Sequence, residues 1–400
     1  MRTSVGAHLK AVVIGAGLAG EGHTVALQYA GVSVRAICSR TPEVVSELAG
    51  RLGVVQASID WRRTLVTVRP DIVAVATPAA AHVEQITAAL QLGCHIYADK
   101  PLAVTAREAR QLYELALERG AKTALATTWM YDPGVTYLGE LVAAGAIGRP
   151  LGAESRHLLL WPHPVAATWM NRLREGGGLL NNRFPHQLAA VQRVVGGEVL
   201  QAMGEARVHR SRLPNIGHLH DYRQRRALRA EELVDVPWEE VDGDDACTVI
   251  LRLGAPGAGS RDTINVHISC SAVIRPREER TLTVYGDEGS LHYAGGVHFG
   301  IRPATAARPT ISRATLQYHQ WTDEPVPERV FQNLPQVEDD LQRDWAALAR
   351  EFVADIRGEP HSTYPTFRQG WINQEIIEVA RGGSGWRDIP HDIVADTGNA

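Results

Sequence analysis

Short apolar runs alternate with amphipathic stretches through the first third of the chain. Strands buried on both faces are predicted at residues 11–14, 32–38, 71–76, 94–98 and 123–126. Helical periodicity is found at residues 23–29, 42–52, 83–92 and 105–119. Such alternation predicts an α/β fold with a doubly wound parallel sheet and right-handed crossovers.

The pattern changes in the rest of the chain. Strands of a larger sheet are predicted at residues 199–208, 246–253, 263–272 and 281–285, and closing helices at 345–356 and 370–380. A charged stretch at 207–240 predicts a solvated or interface insertion. We therefore predict two domains, a dinucleotide-binding domain over 1–128 and a substrate-binding and oligomerisation domain over 129–400, with the boundary near 126–131.

A glycine-rich segment separates the first predicted strand from the first predicted helix. It reads Gly15-Ala-Gly17-Leu18-Ala19-Gly20, which has the spacing and context of a dinucleotide-binding turn. The first glycine permits the tight turn, the second lets the backbone approach a pyrophosphate, and the third allows close helix–strand packing. We expect Gly15, Gly17, Leu18 and Ala19 to bind the cofactor at the helix N-terminus.

The end of the second predicted strand bears on the choice of cofactor. NAD-binding proteins often have Asp or Glu about 20 residues after the glycine turn, but Ser39 and Arg40 occupy this position here. A guanidinium pairs well with phosphate, so these two residues favour NADP, with its 2′-phosphate, over NAD. The alternative is that Arg40 is a solvated loop cation.

Two further polar clusters follow predicted strands. Thr77-Pro78 follows the third strand and Asp99-Lys100 the fourth, and ligands of such sheets bind beyond the carboxyl ends of the strands. We expect Thr77, Pro78, Asp99 and Lys100 to lie along the cofactor. An ammonium at this rim can also polarise a reacting oxygen, which makes Lys100 a catalytic candidate.

Composition excludes several classes of protein. The 400 residues are 44% hydrophobic with a formal net charge of −4, enough for two cores and without an electrostatic attraction to nucleic acid or anionic lipid. The four cysteines are scattered, which predicts reduced thiols, and His218 and His220 lack an evident third metal ligand. We expect a soluble, cytoplasmic protein without a metal, a nucleic-acid partner or a membrane segment.

Several short motifs occur in a specific order over nearly the whole chain. They are the glycine turn, Ala76-Thr77-Pro78 with His82, Asp99-Lys100-Pro101-Leu102, Tyr131-Asp-Pro133, residues 141–148, Glu175-Gly-Gly-Gly178 with His186, residues 284–290, Tyr364-Pro-Thr-Phe367 and residues 384–390. Together they resemble the Gfo/Idh/MocA family, named for glucose-fructose oxidoreductase, inositol dehydrogenase and a rhizopine catabolism protein. The resemblance implies a Rossmann domain followed by a domain with a large open, mostly antiparallel sheet.

The resemblance also implies an activity, a site and an assembly. Members of the family typically transfer hydride between NAD(P) and a sugar, polyol or ketosugar carbon, and often form homodimers or homotetramers. The family's Glu-Lys-Pro motif corresponds to Asp99-Lys100-Pro101, and its Asp-x-x-x-His pair to Asn182 and His186. We expect His82 to join the cofactor-binding residues.

The expected role of His186 depends on its helix. Pro185 is favoured at a first helical position and precedes the apolar run 187–195, so we predict His186 in the first turn. The helix dipole there disfavours imidazolium, which favours a neutral base at pH 7. Asn182 cannot take a proton but can orient a sugar hydroxyl. Lys100 and His186 are therefore the predicted catalytic residues and Asn182 a substrate ligand.

Aromatic and polar side chains are interleaved between residues 156 and 174. Trp161, Trp169 and Arg172 belong to this stretch, and aromatic faces beside polar groups suit a carbohydrate ring. We predict Trp161 and Arg172 as substrate ligands, with core or interface packing as the alternative for each tryptophan.

Two other functions use the same apparatus. One is cleavage of a glycoside by transient oxidation of the sugar, with the cofactor recycled. The other is a non-catalytic nucleotide-binding regulator, which the joint presence of Lys100 and His186 disfavours.

Overall fold

The structure, a computed structural model, describes residues 8–159, 165–217, 219, 222–255, 257, 259, 262–273, 278–295, 309–315, 318–337, 339–383 and 385–391. Two main sheets organise this part of the chain, one of six strands and one of nine. Within it, no helix combines the length and apolar character needed to cross a membrane.

The six-stranded sheet is entirely parallel, in the order β3-β2-β1-β4-β5-β6. Its strands are β1 Lys10–Ile14, β2 Ser33–Cys38, β3 Gln56–Ser58, β4 Ile72–Val75, β5 His95–Ala98 and β6 Thr123–Leu125. Helices α1 Leu18–Tyr29, α2 Pro42–Arg51, α3 Trp61–Val68, α4 His82–Gln91 and α5 Ala106–Glu118 connect them. The central apolar runs are buried on both faces of the sheet, which is why they show no alternation in the sequence.

The nine-stranded sheet is antiparallel except where β7 pairs with β12. Its strands are β7 Pro150–Leu158, β8 Glu198–Arg207, β11 Ala246–Gly254, β12 Ile264–Ser271, β13 Glu279–Gly286, β14 Gly289–Gly295, β15 Thr310–Thr315, β16 Tyr318–Pro325 and β17 Arg387–Asp388. The predicted fold class, a Rossmann domain with a large and mostly antiparallel second sheet, is confirmed.

Helices and a small sheet complete the second half of the chain. The helices are α6 Pro133–Ala143, α7 Leu179–Val195, α8 Tyr222–Ala227, α9 Glu328–Gln332, α10 Asp340–Arg357 and α11 Phe367–Gly382. Strands β9 Arg212–Pro214 and β10 Trp238–Glu240 form a two-stranded sheet inside the predicted insertion. Helix α7 packs on the large sheet and presents its other side to the rim of the parallel sheet, where the functional cleft lies.

Helix α10 returns to the parallel sheet, which the sequence did not indicate. Trp345 and Phe352 belong to the same buried cluster as residues of β1, β2, β4 and β5. Gly22 makes this packing possible, because a Cβ at that position would lie 2.1 Å from the Trp345 ring. The domain division at residue 128 stays a prediction. Helix α10, far beyond that residue in the chain, completes the core of the parallel sheet.

Candidate active site

A cleft of about 670 Å³ runs between the rim of the parallel sheet and helix α7. Its lining contains the glycine turn at one end and α7 side chains at the other. Of the predicted site residues, the cleft is lined by Gly15, Gly17, Leu18, Ala19, Ser39, Arg40, Thr77, Pro78, Asp99, Lys100, Asn182 and His186. Residues separated by up to 171 positions in the sequence therefore share one cavity.

The glycine turn has the geometry of a cradle. Gly15 has a φ of +121°, and a Cβ there would lie 2.4 Å from the carbonyl oxygen of Ala76. A Cβ on Gly20 would lie 2.1 Å from the carbonyl oxygen of Gly15, so neither position accepts a side chain without a backbone shift. Helix α1 begins at Leu18, and its first N–H groups lack intrahelical partners and are available to an anion.

The far end of this cradle is lined by Ser39 and Arg40, together with Ile59 and Trp61. The Arg62 guanidinium lies over the Trp61 ring, 4.4 Å from its centroid. The side chains of Ile59 and Trp61 give this end an apolar wall, and Ser39 and Arg40 add a hydroxyl and a guanidinium.

Lys100 and Asn182 meet at the opposite end. The Lys100 Nζ donates a hydrogen bond of 3.0 Å to the Asn182 Oδ1, so β5 and α7 are joined across the cleft. Burial lowers the pKa of Lys100, with the nearby Asp99 opposing this effect and Arg183 adding to it. A lysine with a lowered pKa is better able to exchange a proton near neutral pH than an ordinary surface lysine.

The position of His186 in its helix differs from the prediction. Helix α7 begins at Leu179, so Pro185 lies inside it and His186 is in its middle rather than its first turn. Asp244 explains the earlier start, because its Oδ2 accepts a 2.7 Å hydrogen bond from the N–H of Leu180 and its backbone oxygen accepts one of 2.8 Å from Leu179. A cap supplied from more than 60 residues away overrides the local proline signal.

The neutral state of His186 consequently has another origin than the helix dipole. Burial holds its pKa well below the usual value, and the charges of Lys100, Arg183 and Arg280 lower it further. Its Nδ1 accepts a 3.1 Å hydrogen bond from the backbone N–H of Thr128. In a neutral imidazole the proton must then reside on Nε2, so this ring presents a donor to the cleft.

Two predicted site residues lie outside the cleft lining, and a third is not among the described residues. His82 is buried behind the rim, within 2.8 Å of the Thr77 oxygen and 3.1 Å of the Leu102 oxygen, so it supports the loop and does not line the cleft. Arg172 is absent from the cleft lining and pairs with Glu175 and Glu239, because those carboxylates lie next to it. Trp161 lies outside the described residues, as do His218 and His220.

The cleft also contains side chains that sequence reasoning missed. Trp129, Arg183 and Arg225 line it, as does Trp169 from the predicted aromatic stretch. The Trp129 ring stacks on His186, with centroids 5.0 Å apart and planes 20° apart. A signal for Trp129 existed, because it follows the last parallel strand on the rim where ligands bind. No local sequence pattern marks Arg183 or Arg225 as cleft residues.

The residues present fit a nicotinamide dinucleotide. The positive φ of Gly15, the close approach of Gly20 and the open N-terminus of α1 provide for a pyrophosphate. Among the described residues, no cluster of three His, Cys, Asp or Glu side chains is arranged to hold a metal ion.

Comparison with known proteins gives the same assignment. Residues 9–127 match the oxidoreductase family with an NAD-binding Rossmann fold, and residues 135–292 match the GFO/IDH/MocA C-terminal domain. Levoglucosan dehydrogenase of Pseudarthrobacter phenanthrenivorans is 24% identical over 96% of this chain and 98% of its own length. D-glucoside 3-dehydrogenase of Escherichia coli is 29% identical over 40% of this chain and 46% of its own length.

A solved structure of a levoglucosan dehydrogenase, in complex with NADH and L-sorbose, superimposes with a TM-score of 0.78 at 21% identity. The match covers 96% of this chain and 99% of that one. The predicted family and oxidoreductase class are thus confirmed. The chain belongs to the GFO/IDH/MocA family and is an NAD-binding oxidoreductase.

Proposed function

We propose that this protein oxidises a secondary alcohol of a sugar or polyol, or reduces the matching ketone. The observation that carries the proposal is the meeting of Lys100, Asn182 and His186 in the cleft that also contains the glycine turn. Relatives named for levoglucosan, D-glucosides and inositol support a carbohydrate-like substrate. Their names, all of dehydrogenases, favour simple hydride transfer over glycoside cleavage.

We assign proton transfer to Lys100. A nicotinamide dinucleotide held by the glycine turn and the N-terminus of α1 would supply hydride transfer to or from the substrate carbon. In the oxidation, the hydroxyl proton passes to the neutral Lys100 amine, and in the reduction the ammonium gives it back. Burial of this side chain favours the neutral amine, and Asn182 cannot compete for the proton because an amide is not a base.

His186 then has a different role from the predicted base. Its Nδ1 is occupied by the Thr128 N–H, so the ring offers the Nε2–H to the substrate oxygen. A donor aimed at that oxygen stabilises the developing alkoxide without itself changing charge. Asn182 orients the Lys100 Nζ through their 3.0 Å bond and keeps its two amide hydrogens for substrate hydroxyls.

For the cofactor, we propose a preference for NADP over NAD. Ser39 and Arg40 both line the adenosine end of the cleft, and the guanidinium of Arg40 suits a 2′-phosphate. The predicted cytoplasmic location and the predicted homodimer or homotetramer stay predictions.

The proposal is tested by mixing the protein with NAD or NADP and a panel of sugars, anhydrosugars, inositols and ketosugars, while absorbance of the reduced nicotinamide is followed. We expect turnover with at least one substrate and production of the matching carbonyl compound. Glycoside cleavage without a net change in reduced nicotinamide would contradict the dehydrogenase proposal. It would favour cleavage by transient oxidation of the sugar. Tight cofactor binding without turnover of any carbonyl or carbinol would support a regulator.

A further inference from the structure

Trp129 connects the candidate site to a buried ion pair. It lies in a short 3-10 turn, Thr128–Tyr131, that links β6 to α6. Its indole stacks on His186 at 5.0 Å, and the Arg280 guanidinium lies over it, 4.9 Å from the ring centroid. His157 meets the same indole edge-on, with centroids 5.0 Å apart. The ring that carries the proposed donor thus rests on an indole that also contacts a cation.

Arg280 is itself held in place. Its Nη2 donates to Asp132 Oδ2, and this pair is largely buried, with side-chain exposures of 15% and 10%. The other Asp132 oxygen, Oδ1, accepts hydrogen bonds from the Tyr293 hydroxyl at 2.6 Å and the Gly134 N–H at 2.8 Å. Because Asp132 also caps the N-terminus of α6, the guanidinium is anchored to a helix end and a neighbouring strand. Such an anchor leaves little freedom to the cation–π contact.

The titratable groups that surround His186 come from four elements. Lys100 follows β5, Arg183 belongs to α7, His157 to β7 and Arg280 to β13. Each disfavours a positive charge on the His186 ring, and the nearby Asp132 carboxylate is already paired with Arg280. An imidazolium at this position would be repelled by the charges of Lys100, Arg183 and Arg280.

We propose that the Arg280–Trp129 stack is a positioning device that fixes the plane of His186 and keeps its Nδ1 on the Thr128 N–H. The inference rests on the donor role proposed for His186. The stack supplies a flat surface for the imidazole, and Thr128, next to Trp129 in the same turn, supplies the hydrogen bond that selects the tautomer. Arg280 and Trp129 are positioning residues in this arrangement, since they act through His186.

Two variants separate this device from general stability. Trp129→Phe replaces the indole by a smaller phenyl ring, which keeps an aromatic contact but reduces the area that stacks on His186. Asp132→Asn with Arg280→Met removes the ion pair as a unit, so that no lone buried charge remains, and Asn retains the ability to cap α6. The remote Arg110–Trp371–Tyr113 cluster has a similar arrangement, with the Trp371 and Tyr113 rings 6.0 Å and 23° apart and Arg110 at 5.9 Å. Trp371→Phe is therefore the matched control.

The first measurement needs no substrate. In ¹⁵N-histidine-labelled protein, with the His186 signals assigned through His186→Gln, nitrogen shifts report which ring atom carries the proton. We expect wild-type His186 to hold its proton on Nε2 and to stay neutral from pH 5.5 to 9. The double variant removes one positive and one negative charge together, so its main expected effect is on the tautomer. Part of the His186 proton should move to Nδ1, because the indole that holds the ring against the Thr128 N–H is no longer anchored. The control should match the wild type.

The second measurement is kinetic and uses whichever substrate turns over. We expect Trp129→Phe to lower kcat roughly tenfold with KM changed less than about threefold, since a misplaced donor affects the transition state more than ground-state binding. An unchanged His186 tautomer in the double variant would overturn the proposal, as would equal kinetic losses in Trp129→Phe and Trp371→Phe. Absence of turnover in the wild type would count against the proposed function, while the spectroscopic result would still decide this inference.

Discussion

The two ends of the cleft are built in different ways. The cofactor end is mainly backbone, a glycine turn and a helix N-terminus within six residues of each other. The substrate end is mainly side chains, and Lys100, Trp129 and His186 line it from separate elements. The first can be recognised in a local sequence pattern, whereas the second exists only after the domains have folded against each other.

This difference has consequences for mutation. A backbone cradle binds through N–H groups that side-chain changes leave intact, so single substitutions around it should adjust cofactor choice by moderate amounts. The substrate end depends on a few side chains with particular protonation states. We therefore expect the largest effects there, and mostly on kcat.

The largest effect is expected for Lys100→Met. Loss of the group that exchanges the substrate proton should lower kcat roughly 10²- to 10⁴-fold, the usual contribution of a positioned acid or base. Cofactor affinity should stay within about twofold, because the glycine turn is unchanged. Steady-state kinetics and calorimetric titration with the cofactor measure the two quantities, with Lys122→Met on the surface as control. A variant with near-normal kcat would remove Lys100 from the reaction.

Next in size is the loss of the His186 donor. His186→Ala should reduce kcat roughly 10²-fold, near the value of one donor to a developing oxyanion. His186→Gln should recover part of it, since its amide N–H can replace the Nε2–H but cannot act as a base. His95→Ala is the control, because His95 likewise accepts a backbone N–H at Nδ1, at 2.9 Å, away from the cleft. If Gln is as poor as Ala, the ring serves as a base after all.

At the cofactor end, Arg40→Ala should narrow the difference between NADPH and NADH binding by about 1–3 kcal/mol, the loss of one charge-assisted contact. Calorimetry with both dinucleotides gives the difference directly. Arg35→Ala, on the exposed side of the same strand β2, should leave it unchanged. Equal affinity of the wild type for NADH and NADPH would contradict a 2′-phosphate site.

The smallest change in rate is expected for Asn182→Asp, where the pH profile carries the information. A carboxylate within hydrogen-bond distance favours the ammonium, so the pKa of Lys100 should rise by roughly 1–2 units. Oxidation needs the neutral amine. The acid limb of the pH profile for oxidation should therefore move to higher pH by the same amount. Reduction needs the ammonium, so the alkaline limb of the pH profile for reduction should also move to higher pH. An unshifted profile would mean that another group exchanges the proton.

Local patterns were sufficient for the parallel sheet and its ligand-binding rim. Buried strands such as β1 and β4 have unbroken apolar runs, and the glycine turn lies between strand and helix as its chemistry requires. Short or edge elements escaped the same reasoning. Strand β3 has three residues and little burial, so it has no strong local signature. Strand β7 alternates buried and exposed positions, a pattern typical of a half-buried strand, and yet was not predicted.

The amino-acid sequence by itself determined the fold class, through local periodicity, and the family, through the order of short motifs along the chain. It also predicted the residues of the cofactor cradle, because their spacing is local. Tertiary structure alone decided how α7 begins, since Asp244 caps it from a distant strand connection, and which proton His186 carries, since Thr128 occupies its Nδ1. It also placed α10 on the parallel sheet. Burial and electrostatic environment depend on contacts between residues far apart in the chain, and periodicity carries no information about those contacts.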